Sequence, residues 1–255
     1  GDGKVITLET TKASYLIDVD IYTKILKTKE DFDGFYVYAK SANPNPAIWD
    51  GYFVLGNDIV YNGLFKSKIA DLDSLWSAVE GLWSNGGLYG FKGVLDGKGY
   101  CIDGLSVGDG TSMNSIFGVL HIEGVVKNIS FTNAKLKESS SLICATGNGT
   151  IENVMVMFTR NRNYPAAWEQ QGFGNGNATV LAFTNNGTIK NCVGYNVAGG
   201  MTYALVGRNT GTVDNVYGFF ETEDDDPNTA NVVNKWSDWR GTYNLSVVWT
   251  APADS

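Results

Sequence analysis

GTIENV, at residues 149–154, returns three more times along the chain: as GVVKNI at 124–129, GTIKNC at 187–192 and GTVDNV at 211–216. Each copy is a glycine, two mostly β-branched residues, a charge, an asparagine and a small apolar residue. The asparagines are Asn128, Asn153, Asn191 and Asn215, spaced by 25, 38 and 24 residues. A fixed period in this range is the mark of stacked repeats. No stripe of period 3.6 runs through the copies, and NG or TG turn signals precede three of them, so the repeats read as β. About 24 residues hold three short strands and their turns, one coil of a parallel β-helix, with each strand pairing about 4.8 Å along the axis to its counterpart. The asparagines are expected to stack at a backbone bend, because asparagine tolerates the left-handed region and its amide can bond up and down a ladder.

Stepping back 24 residues from Asn128 reaches Gly104 in YCIDGLSV, which takes the same place with glycine at the bend. In that register the residues before the bend are Asp103, Lys127, Glu152, Lys190 and Asp214, alternating in sign. Ile102, Val126, Ile151, Ile189 and Val213 then form one inward apolar ladder. The 38-residue gap is one unit plus 14 residues, an insertion placed at 159–175.

Composition agrees with a turn-rich β protein: 255 residues, 31 glycines, 13 tyrosines, 12 phenylalanines, and 18% charged against 43% hydrophobic. A net charge of −8 without a basic run argues against nucleic acid as a partner. No apolar run approaches the roughly 20 residues of a membrane-spanning helix, which argues against direct membrane insertion.

FKGVLDGKGYCIDGLSV (91–107), SIFGV (115–119) and GVVKNISF (124–131) resemble the repeats of bacterial secreted and surface proteins of the GLUG type. ILKTKEDF (25–32) and GYFVLGNDI (51–59) are similar to their lead-in. The resemblance implies an adhesin-like, right-handed parallel β-helix at the cell surface or outside the cell. It implies no catalytic residues, and the glycine motif is worn to LICA, VLAF and ALVG in later coils.

The expected fold is therefore all-β, a single right-handed parallel β-helix of about six coils. Residues 1–24 are a connector or the last strand of an upstream Ig-like module. Residues 25–61 form the N-terminal cap and first coil, with Thr28 and Asp31 capping a helix whose Phe32, Phe35 and Tyr36 cover the open coil. Residues 62–220 form the β-helix, with insertions at 62–90 and 159–175. In the first insertion Leu72, Leu75, Trp76, Val79, Leu82 and Trp83 fall at helical spacing, a helix packed on the flank. Residues 221–255 form an irregular C-terminal cap.

Three cysteines, Cys101, Cys144 and Cys192, have no metal-like spacing, and Cys192 takes an inward position as a small hydrophobe. A lone His121 cannot make a zinc site or a nucleophilic triad by itself. The acidic run Glu221, Glu223, Asp224, Asp225 and Asp226 lacks the spacing of a dedicated calcium loop and reads as a solvated turn. No metal or cofactor is implied. The candidate contact surface is the second insertion, where Arg160, Arg162, Tyr164, Trp168, Glu169 and Gln171 combine aromatic faces with hydroxyl-bonding groups suited to a glycan. The expected function is a non-enzymatic exported module, monomeric, that binds a glycan or a host or cell-surface protein, or serves as a stalk. The alternative left open is a polysaccharide lyase or glycoside hydrolase on the same scaffold, disfavoured because outward carboxylates alternate with lysines and do not cluster.

Overall fold

The computed structural model describes residues 4–9, 14–19, 21–66, 69–70, 87–108, 115–136, 141–158, 179–195 and 204–219. The chain opens with β1 (Lys4–Glu9) and β2 (Ser14–Val19), an antiparallel hairpin in register from Lys4↔Val19 to Glu9↔Ser14. The alternation in this stretch thus runs through two strands that turn back on each other.

β3 (Lys24–Leu26) and α1 (Lys29–Ser41) follow. Thr28 closes α1 with a capping box: its hydroxyl accepts from the Asp31 N–H at 3.1 Å, and the Asp31 carboxylate accepts from the Thr28 N–H at 3.3 Å. The buried stripe of α1 is Phe32, Phe35 and Ala39. Tyr36 sits at the rim of that stripe and is 40% exposed, so it does not share the covering role expected of it. Phe35 reaches the rings of Phe53, Phe91 and Phe117, with the last two stacked at 4.4 Å. Phe32 meets Tyr61 and Phe65. Burying each such ring contributes about 1.5–3 kcal/mol, which ties the helix to the end of the sheet stack.

Beyond α1 the described strands pair in parallel. β4 (Ile48–Trp49), β7 (Gly90–Phe91), β10 (Phe117–Leu120), β12 (Cys144–Gly147), β14 (Thr179–Asn185) and β16 (Ala204–Asn209) form one sheet in chain order. The second runs β3, β5 (Tyr52–Leu55), β8 (Val94–Asp96), β11 (Val125–Leu136), β13 (Thr150–Phe158), β15 (Thr188–Tyr195) and β17 (Thr212–Phe219). β11 is long because it turns a corner: its first half pairs with β8, and its second half with β9 (Cys101–Val107), which in turn pairs with β6 (Ile59–Leu64). Three parallel walls result, each gaining one strand per repeat.

The corner is the repeated phrase. Asn128, Asn153, Asn191 and Asn215 all sit at φ of 52–53°, in the left-handed region. Val126↔Ile151, Ile151↔Ile189 and Ile189↔Val213 are Cα partners just ahead of it. Val126, Ile151 and Ile189 are fully buried, while Val213 in the last described repeat is half-buried. The glycine that opens each phrase lies where two coils touch. Thr150 N–H donates to Gly124 O and Thr188 N–H to Gly149 O, both at 2.9 Å, and a Cβ on Gly149 or Gly187 would collide with the carbonyl oxygen below.

One step of the sequence register is corrected. Gly104 is not the counterpart of Asn128. Val126 pairs with Leu95 and Lys127 with Asp96, whereas Ile102 pairs with Phe131 and Asp103 with Thr132. Gly104 belongs to a second left-handed bend shared with Asn62 (φ 42°) and Asn133 (φ 48°). A constant step of 24 failed because the Asp96–Tyr100 turn lengthens this repeat between its two bends. Asn62 to Leu64, placed in the first insertion by sequence, belong to β6. The helical spacing from Leu72 to Trp83 lies outside the described residues.

Candidate functional site

Arg160, Arg162, Tyr164, Trp168, Glu169 and Gln171 lie outside the described residues, as do the acidic run and residues 221–255. The strands flanking that loop are described: β13 ends at Phe158 on the wall beyond the asparagine corner, and β14 begins at Thr179 on the first wall. The insertion therefore lies between two regular coils whose pairing continues past it, through Thr150↔Thr188 and Cys144↔Ala182.

The outward side chains at the corner form coil-to-coil ladders. Asn153 Nδ2 donates to Asn128 Oδ1 at 2.9 Å, and Asn215 Nδ2 to Asn191 Oδ1 at 2.6 Å. Asn128 Nδ2 in turn donates to Asp96 Oδ1 at 3.1 Å. Beside them Lys190 Nζ lies 2.7 Å from Glu152 Oε2, and Lys127 Nζ lies 3.8 Å from Asp96 Oδ2. With Asp96 in place of Asp103 the signs still alternate, as Asp96, Lys127, Glu152, Lys190, Asp214. A second polar ladder, not anticipated from sequence, runs along the preceding turn: Asn186 Nδ2 donates to Asn148 Oδ1 at 2.9 Å, and Thr210 Oγ1 to Asn186 Oδ1 at 2.6 Å. Its signal was visible in the NG and TG pairs, which read only as turns.

Asp96 is the most connected of these groups and was missed in the sequence. It is 2% exposed, accepts the Lys98 N–H at 2.8 Å and the Tyr52 hydroxyl at 3.3 Å, and has Lys98 Nζ at 3.5 Å. Burial pushes its carboxyl up, but the Lys98 N–H, the Asn128 amide and the two lysine charges outweigh this and hold it below the ordinary value. Lys98 Nζ also faces the rings of Tyr22 and Tyr52, which meet edge to face at 5.0 Å. The DGKG stretch, with Lys98 at φ 51°, is the local signal for this turn.

His121 is buried. Its Nδ1 accepts the Glu123 N–H at 3.0 Å, which leaves the proton on Nε2 in the neutral ring. Burial lowers its pKa. Burial likewise pushes the Cys144 thiol up, and the Cys192 thiol up to about 12. Cys192 is a donor to Lys190 O at 3.2 Å and pairs in register with Val216, the inward place read from its sequence. Such thiols are protonated and inert at neutral pH. Among the described residues no group of three or more His, Cys, Asp or Glu side chains converges on a metal position, and no helix is long and apolar enough to cross a membrane.

Comparison with known proteins gives one similarity. Halomucin of Haloquadratum walsbyi is 31% identical over 108 residues, which is 37% of this chain and 1% of that protein. The chain thus spans about a hundredth of the length of the curated relative it matches. No family model matches the chain, and no solved structure matches it.

Proposed function

We propose that the chain is a surface-associated scaffold, exported from the cell, whose three walls belong to a single right-handed parallel β-helix with a helical N-terminal cap and an irregular C-terminal cap. It works as an adhesin-like stalk that carries recognition of a glycan or protein on its insertion, without catalysing a reaction. The observation that supports this most is the use of outward polar groups. Asn, Lys, Glu and Asp side chains on the corner bond to their counterparts one coil away, which stiffens a rod and leaves no pair of carboxylates facing a common groove there. The similarity to Halomucin supports the surface location. The GLUG-type resemblance in residues 91–131 supports the same location and the handedness.

On this reading the ligand contacts Arg160, Arg162, Tyr164, Trp168, Glu169 and Gln171. A regular solenoid gains no coil contacts from extra residues that must be ordered at an entropic cost, so an inserted loop points to recognition. The test joins a glycan array with a polysaccharide depolymerisation screen, each run on the intact chain and on a deletion of residues 161–171. Binding that the deletion abolishes, with an unchanged melting temperature and no product release, is the expected result. Reproducible product release would replace the stalk with a lyase or hydrolase.

A further inference from the structure

We infer that the outer face of the first wall is a docking surface for this chain's own residues 71–86, which lie across β10, β12 and β14 and close that wall to any partner. Neighbouring residues of a strand point to opposite faces, so a wall covered on one side alternates between buried and open. This wall does not. Ser141, Leu142, Ile143 and Cys144 are 0% exposed and Ala145 is 1%, while Thr179, Val180, Leu181 and Ala182 are all at or below 2%. The interior accounts for one side of these strands. Ala145 is buried yet takes no part in the interior apolar cluster, which places it on the other side. Burial here is a property of the single chain, so whatever covers the outer face belongs to the chain itself.

The ends of residues 71–86 say which segment it is. Gly118 N–H donates to Ile69 O at 2.9 Å and Val119 N–H to Ala70 O at 3.0 Å, so the chain reaches Ala70 as a strand beside β10. It returns at Gly87, whose carbonyl accepts the Ile122 N–H at 2.9 Å and whose α-carbon lies against the Asn148 side chain, and it rejoins the wall at Gly90 and Phe91 beside Leu120. The segment therefore interrupts what would be one continuous strand of the first wall. Left-handed corners stand at both ends, Ala70 at φ 52° and Gly87 at φ 81°. A chain that leaves a wall and re-enters it within a few residues must emerge on its outer side. The sequence between carries Leu72, Leu75, Trp76, Val79, Leu82 and Trp83 at i, i+3, i+4, i+7, i+10 and i+11, an apolar stripe with a matching need for cover. As a helix those residues span about 18 Å, enough to cross four strands spaced about 4.8 Å apart.

The test uses Ala145→Cys with Cys101→Ser, in the full chain, and follows labelling by a charged thiol reagent. The thiol at position 145 is expected to be protected, and Leu75→Asp with Val79→Asp is expected to speed its labelling by an order of magnitude or more, since the cover then opens locally. Cys192, on the far side of the core, must stay protected in the same sample; if it reacts too, the milder Trp83→Gln decides by the same criterion. Prompt labelling without the aspartates, or protection that neither set of substitutions alters, overturns the inference. Failure of the glycan assay would leave this result untouched.

Discussion

Asn153 does two jobs that separate substitutions can distinguish. Its backbone occupies φ 52°, and its amide donates to Asn128. Asn153→Gly keeps the conformation and loses the ladder bond, about 0.5–1.5 kcal/mol. Asn153→Ala loses the bond and adds left-handed strain of about 1–2 kcal/mol. Denaturant titration should rank wild type above Gly and Gly above Ala; equal losses for both would mean that the bend is not under conformational demand. His121 carries a pH signature of definite sign. Its folded pKa lies below the ordinary 6.5, so the folded state holds fewer protons than the unfolded chain just below that value. Stability from this group is complete above about pH 6.5 and is lost as pH falls toward its folded pKa. His121→Gln should flatten the fall in melting temperature between pH 7 and 5; an unchanged slope would contradict the burial account. The repeat phrase made the four asparagine bends legible, because αL tolerance is a property of the residue itself. Asp96 was not legible, since its partners come from Tyr52, Lys98, Lys127 and Asn128, which meet only after the walls form.

At the level of elements, the glycine ahead of each phrase and the apolar residue two places on carry the stacking. Gly149→Ala forces a methyl group against the carbonyls of Gly124 and His121, backbone atoms that cannot swing aside. A loss of about 1–3 kcal/mol is expected from such overpacking, read from the denaturation midpoint. Ile151→Ala removes a fully buried side chain from the Val126–Ile151–Ile189 column and should cost about 2–5 kcal/mol. A neutral result at either position would place the coil contact elsewhere. α1 was readable from Thr28, Asp31 and its aromatic spacing because a capping box is a local signal. The misplacement of Ile102 and Asp103 has the opposite origin: a register is a relation between distant strands, and one longer turn shifts it without leaving a mark in the local pattern.

For the whole molecule, three parallel walls tied by glycine contacts, asparagine ladders and alternating charges describe a rod that adds one strand per wall with each repeat. Insertions are the places where such a rod departs from uniformity, and sequence located both from the broken period. What each one does was less legible, because a loop's partners are set by the walls it leaves and rejoins. Coil stacking is the claim on which the rest depends, and cysteine pairing tests it directly. Glu152 and Lys190 are Cα partners on neighbouring coils, while Glu152 and Asp214 are two coils, about 9.6 Å, apart. A disulfide needs Cα atoms within about 7 Å. Under mild oxidation Glu152→Cys with Lys190→Cys should crosslink nearly completely, and Glu152→Cys with Asp214→Cys should not. Failure of the first pair, or equal crosslinking of the second, would contradict the stacked register.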